Sequence, residues 1–120
     1  MQTKSNADEI QSFLSDASFI RGGYAEHVVL PETVEEVAEV LAAANRDRVP
    51  VTVSGAGTGT VGGRVPFGGI VLATDRLNRI KSVSPNEHGF GRAVAEAGVI
   101  LSDFQRAVDS KGLLYPPDPT

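Results

Sequence analysis

The sequence of 120 residues contains no cysteine at all. This absence excludes disulfides, thiolate metal sites and a nucleophilic thiol, and it fits a cytoplasmic location. No cluster of Lys and Arg stands out and the formal net charge is −4, so we expect neither nucleic acid nor an anionic membrane surface as a partner. Long apolar runs are also lacking, and we therefore expect neither a signal peptide nor a membrane-spanning helix.

What is present indicates one globular domain with a modest core, since 41% of the residues are hydrophobic and 22% are charged. Apolar spacing and turn residues predict the element order β-α-β-loop-β-β-β-α after a short helix capped by Asn6. Met1–Ser5 is expected to be irregular. This order favours an α+β fold, a small mixed β-sheet with packed helices, over regular βαβ alternation. The predicted strands are His27–Leu30, Val49–Val53, Ile70–Ala73, Ile80–Val83 and Phe90–Ala97.

Two later helices have recognisable ends. Thr33 followed by Glu36 forms a capping box, and the helix behind it should bury one apolar face. The residues assigned to that face are Val34, Val37, Ala38, Leu41 and Ala44. Ser102 with Gln105 is the predicted cap of the last helix, and Gly112 lies just past its end.

The most informative segment is rich in glycine, since five of the ten residues from Ser54 to Gly63 are glycine. Glycine loses more conformational entropy on ordering than any other residue, so such a run suggests a function. Without Cβ atoms, successive main-chain N–H groups can approach an anion and form a nest. Thr58 and Thr60 add hydroxyl donors, and Arg64 is the nearest cation. The segment predicts a phosphate- or dinucleotide-binding loop, with a flexible surface loop as the alternative.

Two familiar phosphate motifs do not fit this loop. Gly57, Gly59 and Gly62 have the spacing of the Rossmann fingerprint, but that motif requires a helix to begin inside the loop. Here a proline and a further strand follow. A P-loop requires Lys and then Ser or Thr after its last glycine, where this sequence has Arg64 and Val65.

Three segments, read together, resemble a known family. Residues 31–37 read PETVEEV, residues 49–63 read VPVTVSGAGTGTVGG and are followed by Pro66, and residues 96–99 and 112–120 read EAGV and GLLYPPDPT. In order and residue type they resemble the N-terminal part of the FAD-linked oxidase family, of the vanillyl-alcohol oxidase type. Bacterial glycolate oxidase and D-lactate dehydrogenase belong to this family. Its pyrophosphate loop corresponds to the second segment.

The resemblance implies how this chain binds FAD. The glycine loop would wrap the diphosphate, mostly through main-chain N–H groups, and the last residues would lie near the flavin or ribityl end. The candidate FAD contacts are Gly55, Ala56, Gly57, Thr58, Gly59, Thr60, Gly62, Asp118, Pro119 and Thr120. One departure is Ser54, because the family commonly has Arg or another bulky polar residue before the first glycine. Some members bind flavin covalently through a His, but His27 does not match that position, so non-covalent binding is expected.

The family continues beyond these segments into a second half of the FAD domain and a substrate-binding cap domain. Neither is found in these residues. We therefore expect residues 1–120 to be a fragment, a single domain that forms the first half of a two-part FAD-binding domain. Such a piece should be inactive by itself and should self-associate through its exposed apolar face.

The resemblance implies FAD-dependent oxidation of a small 2-hydroxy acid, of the glycolate or D-lactate type, by the parent protein. Two alternatives stay open. One is a different chemistry on the same fold, such as UDP-N-acetylmuramate reduction or ether-lipid synthesis, and the other is a non-catalytic ligand-binding or interaction module. No residue is assigned a catalytic or metal-binding role, and His27 and His88 are expected to be structural or solvated.

Overall fold

The computed structural model describes residues 1–118 of the chain. They form two compact units, Met1–Arg76 and a second unit that begins at Leu77. Pro119 and Thr120, which were predicted to lie near the flavin, are outside the described residues. None of the helices within residues 1–118 is long and apolar enough to cross a membrane.

The first unit is built on a four-stranded mixed sheet. Its strands are β1 (Gln2–Lys4), β2 (His27–Leu30), β3 (Val51–Ser54) and β4 (Ile70–Ala73). Their spatial order is β1-β2-β4-β3, with β4 parallel to both β2 and β3 and β1 antiparallel to β2. This is the mixed sheet with packed helices that the sequence predicted, so the α+β fold class is confirmed.

The N-terminal segment differs from its prediction. Met1–Ser5 was expected to be irregular, yet Gln2 pairs with Leu30 and Lys4 with Val28 along the edge of β2. The unpaired N–H and C=O groups of an edge strand favour such pairing, which sequence periodicity does not reveal. Helix α1 (Ala7–Ile10) follows, with the Asn6 side chain accepting a hydrogen bond from the Asp8 N–H at 2.9 Å.

Helix α2 (Val34–Asp47) crosses from β2 to β3. Its predicted start is confirmed, since Thr33 Oγ1 accepts from the Glu36 N–H at 3.1 Å. The predicted buried face is wrong in part. Val40 and Ala44 are buried, whereas Val34 is 59% exposed and Leu41 is 45% exposed. Apolar spacing alone does not identify which apolar residues meet the sheet, and Val40 is the one packed in the core beneath the helix.

Both faces of the sheet carry a core, because successive side chains of a strand point to opposite sides. On one face, α1 and the 3-10 turn after it pack on the strands. That cluster contains Ile10, Phe13, Val28, Leu30, Val71 and Ala73. Under α2 the other face buries Val29, Val40, Ile70 and Leu72. The 3-10 turn, Gln11–Phe13, thereby holds the segment that follows it next to the end of β3.

The second unit contains a hairpin and a helix. Strands β5 (Ile80–Pro85) and β6 (Gly91–Ala95) pair antiparallel, and helix α3 (Leu101–Asp109) follows. Ile100 occupies the N-cap position of α3, without a side-chain hydrogen bond, so the predicted cap at Ser102 and Gln105 is wrong. Gly112 has a φ of +76° just past the helix, as expected for a C-terminal glycine.

Candidate functional site

The glycine loop leaves the carboxyl end of β3 and runs into β4 without forming a helix. The absence of a helix removes the Rossmann geometry, in which the pyrophosphate lies at a helix N-terminus. Gly57 and Gly62 have φ values of +81° and +79°, a region that L side chains seldom adopt. At both positions the backbone conformation therefore explains why glycine is present.

The outer side of this loop is open. A Cβ atom placed on Gly55 or on Gly63 would meet no other heavy atom within 4 Å. Gly55, Ala56, Thr58, Gly59 and Thr60 are exposed, and Gly57 and Gly62 are half-buried. An accessible stretch of main chain with little side-chain bulk can bring N–H groups to within hydrogen-bonding distance of phosphate oxygens. The residues present thus fit the diphosphate of a dinucleotide.

The inner side of the loop is held by Arg64. Its Nε donates to Ser54 Oγ at 2.7 Å, and its Nη1 donates to the carbonyl oxygens of Ser12 at 2.8 Å and Ser15 at 2.6 Å. The guanidinium carbon lies 5.7 Å from the centre of the Phe13 ring. A side chain at Gly57 would place its Cβ 2.7 Å from Arg64 Nη1. The nearest cation of the sequence therefore braces the loop against the segment after α1.

The same contacts explain why Ser54 stands where the family commonly has a bulky polar residue before the first glycine. Ser54 is fully buried, and its hydroxyl accepts the Arg64 bond. Its carbonyl oxygen accepts from the Thr74 N–H at 3.0 Å and from Thr74 Oγ1 at 3.3 Å. A small hydroxyl residue fits this buried place, where a bulky polar side chain would displace the Arg64 guanidinium.

Asp16 also faces the loop, and sequence reasoning missed it. Its Oδ1 accepts from the Ser18 N–H at 2.9 Å, and the neighbouring Ala17 N–H donates to the Gly59 carbonyl at 2.9 Å. The pKa of the Asp16 carboxyl is lowered, first by hydrogen bonds from the Ser18 side chain and main chain and then by the N–H groups of Gly62 and Arg64. Polar residues in a loop follow no periodic pattern, so the sequence did not reveal this contact.

The predicted FAD contacts fall into separate parts of the structure. Residues Gly55–Thr60 and Gly62 lie together in one loop of the first unit. Asp118 is exposed in the second unit, and residues 113–118 form neither helix nor strand. The remaining two predicted contacts are Pro119 and Thr120, outside the described residues.

The other titratable groups in the described part of the chain do not gather into a second site. His27 is half-buried on β2, and the exposed His88 lies 3.6 Å from its neighbour Glu87. Within residues 1–118, no group of three or more His, Cys, Asp or Glu side chains could hold a metal ion. No side chain of the described part therefore stands out as a general base or a metal ligand.

Known proteins share both the sequence and the fold of this chain. D-Lactate dehydrogenase of Anaerostipes hadrus is 38% identical over 115 residues, which are 93% of this chain and 24% of that protein. Glycolate oxidase subunit GlcD of Bacillus subtilis is 38% identical over 94 residues, 78% of this chain and 19% of that protein. The chain therefore spans about a quarter or less of the length of these relatives.

A solved structure of alkyldihydroxyacetonephosphate synthase superimposes with a TM-score of 0.83 at 19% identity, over 98% of this chain and 26% of that one. At this identity the likeness shows the fold. The family model described as FAD binding domain matches residues 25–120. The resemblance seen in the sequence, and with it the prediction of FAD, is thus confirmed. The chain belongs to the FAD binding domain family, and its cofactor is FAD.

Proposed function

We propose that the protein is an FAD-dependent oxidoreductase that oxidises a small 2-hydroxy acid, of the glycolate or D-lactate type. The observation that carries the substrate class is the identity of 38% to both a D-lactate dehydrogenase and a glycolate oxidase subunit. The likeness to alkyldihydroxyacetonephosphate synthase is one of fold alone, so it does not favour ether-lipid chemistry. The lack of cysteine is compatible with a cytoplasmic place of action.

The part played by this chain is to bind the diphosphate of FAD. Main-chain N–H groups of Gly55–Gly59 and Gly62 supply hydrogen bonds, and the hydroxyls of Thr58 and Thr60 add two donors. The open outer side of the loop supports this assignment, because a Cβ on Gly55 would meet no heavy atom within 4 Å. Since Arg64 is bonded to neutral oxygens inside the loop, N–H dipoles must offset most of the diphosphate charge.

The proposed role of the remaining contacts, Asp118, Pro119 and Thr120, is to approach the flavin or ribityl end, non-covalently. FAD supplies the acceptor for the electron pair that leaves the hydroxyl-bearing carbon of the substrate. This chain binds and orients that acceptor. None of its described side chains is assigned the removal of the hydroxyl proton.

Anaerobic mixing of the full-length holoprotein with glycolate, D-lactate or L-lactate tests the substrate class. We expect glycolate or D-lactate to bleach the oxidised-flavin absorption, and L-lactate to leave it unchanged. Bleaching by dithionite but by none of the 2-hydroxy acids would refute the proposed substrate class while leaving FAD binding intact.

We also propose that the 120-residue chain self-associates when it is produced alone. Apolar side chains of both units face solvent, among them Leu41 at 45% exposure, Phe90 at 72%, Ile100 at 65% and Leu114 at 78%. Exposed apolar groups of this size drive association when they are contiguous.

A further inference from the structure

Asp16 lies outside residues 25–120, the part that matches the FAD binding domain family. It is nevertheless placed against the glycine loop. A Cβ atom on Gly59 would stand 3.7 Å from Asp16 Oδ2, and the Ala17 N–H bonds the Gly59 carbonyl at 2.9 Å. Behind the same loop, Ile20 packs so closely on Gly62 that its Cδ1 would collide with a Cβ there. The segment from Asp16 to Ile20 thus covers the inner side of the loop.

The Asp16 carboxylate is unusual in its surroundings. Oδ1 is bonded to the Ser18 N–H at 2.9 Å, whereas Oδ2 is shielded from solvent and makes no hydrogen bond of good geometry within the described residues. The pKa of the carboxyl is lowered mainly by the hydrogen bonds from Ser18, with smaller contributions from the N–H groups of Gly62 and Arg64. A shielded carboxylate is unfavourable unless such donors offset its lost hydration.

The second half of the loop has a backbone conformation that suits an anion. Gly62 has a φ of +79°, and a residue in the left-handed region can turn neighbouring N–H groups toward a common centre. A Cβ atom on Gly62 would stand 3.7 Å from Ser18 Oγ, so the segment that carries Asp16 also contacts the loop here. The stretch Gly55–Thr60 contacts the segment only through the Gly59 carbonyl among the main-chain bonds described, so its N–H groups stay available on the outer side.

We propose that Asp16 is a positioning residue of the FAD site: its carboxylate acts as an internal anion beneath the glycine loop. Because Oδ2 lies against Gly59 and the adjacent Ala17 N–H bonds the Gly59 carbonyl, Asp16 fixes the first half of the loop with its N–H groups facing the diphosphate. This inference rests on the proposed function, in which Gly55–Thr60 bind that diphosphate.

Arg64 supports the same arrangement. Its guanidinium is bonded to the carbonyl oxygen of Ser15, the residue directly before Asp16, and to Ser54 Oγ at the start of the loop. One side chain therefore ties the segment carrying the carboxylate to both ends of the loop. The segment carrying the carboxylate, the loop and the guanidinium therefore form one connected unit.

The test uses Asp16→Asn in the full-length protein, freed of flavin and titrated with FAD, ADP and riboflavin. Asparagine keeps the shape but replaces an acceptor by an N–H donor that faces other donors. We expect the dissociation constants for FAD and ADP to rise about tenfold, the effect of one charged hydrogen bond. Riboflavin lacks the diphosphate, so its affinity should stay unchanged. Asp8→Asn, an exposed carboxylate of α1, is the matched control and should change none of the three.

If Asp16 were solely structural, Asp16→Asn would weaken all three ligands alike, and this result would overturn the inference. Tighter FAD binding by Asp16→Asn would also overturn it, since the carboxylate would then oppose the diphosphate. Ser18→Ala, which keeps the charge and removes one donor to Asp16, serves if Asp16→Asn does not fold, and it should weaken ADP more than riboflavin. Equal weakening of the two would refute the inference.

The diphosphate assignment itself is tested separately by Gly55→Ala. Loss of FAD affinity in Gly55→Ala together with unchanged affinity in Asp16→Asn would refute only the role of Asp16. Unchanged affinity in Gly55→Ala would refute the assignment on which that role depends.

Discussion

Replacing Gly55 by alanine adds a single methyl group to the outer side of the glycine loop. In the folded protein this methyl would meet no heavy atom within 4 Å, and Gly55 is not among the glycines with a positive φ. The substitution therefore introduces neither a clash nor backbone strain. Because alanine restricts the unfolded chain, the free energy of unfolding should rise by about 0.4–1 kcal/mol.

The affinity for FAD, in contrast, should fall. The methyl group would stand where the proposed diphosphate approaches the main chain, and it would lengthen one or two N–H···O bonds to a charged group. Each such bond contributes about 1.5–3 kcal/mol, so the dissociation constant should rise about 10- to 100-fold. A protein that becomes more stable and binds its cofactor less well separates the function of the loop from its folding.

The assay is a titration of the flavin-free, full-length protein with FAD, followed by flavin fluorescence, together with urea unfolding of the same sample. Gly63→Ala is the matched control, because its Cβ would also meet nothing within 4 Å and Gly63 is not among the proposed contacts. Equal FAD affinity in the wild type and Gly55→Ala would refute the placement of the diphosphate on the outer side.

Three further predictions concern stability and assembly. Arg64→Ala removes three hydrogen bonds of 2.6–2.8 Å and should lower the unfolding free energy by about 2–3 kcal/mol in urea titrations, while the exposed Arg46→Ala should change it little; equal effects would contradict the bracing role. The pKa of Asp16 is lowered from 3.8 by folding, so its carboxylate stabilises the fold above that pH and the contribution is lost as the pH falls through the folded value. Asp16→Asn should accordingly flatten the acid limb of the stability curve below pH 3.8, and an unaltered limb would contradict this. Light scattering of the 120-residue chain at high concentration should report oligomers. A clean monomer would contradict the predicted self-association.

Some local elements were predictable because their causes are local. The capping box of Thr33 and Glu36 specifies the start of α2 by hydrogen bonds between residues three apart. The β-branched run before Ser54 and the glycine loop after it follow from short-range steric preference. The Rossmann reading could also be rejected from the residues that follow the loop, because a proline and an apolar strand leave no room for a helix.

Other features depend on partners distant in sequence. Pairing of Gln2 with Leu30 requires the exposed edge of β2, which no N-terminal pattern announces. The face that α2 buries is chosen by the sheet, so Val40 is inside and Leu41 is partly outside. In both cases contacts between residues distant in sequence decided the arrangement.

The sequence by itself determined that this chain carries a glycine-rich loop, that the loop is neither a Rossmann turn nor a P-loop, and, through its family, that FAD is the cofactor. These conclusions depend on residue type and order, which are fully present in the chain. Only the tertiary structure decided which side of the loop is free. Arg64 and Asp16 close the inner side of the loop. The Arg64 side chain, for example, bonds the carbonyl of Ser12, which lies some fifty positions earlier in the sequence. Such contacts exist only once the sheet has formed.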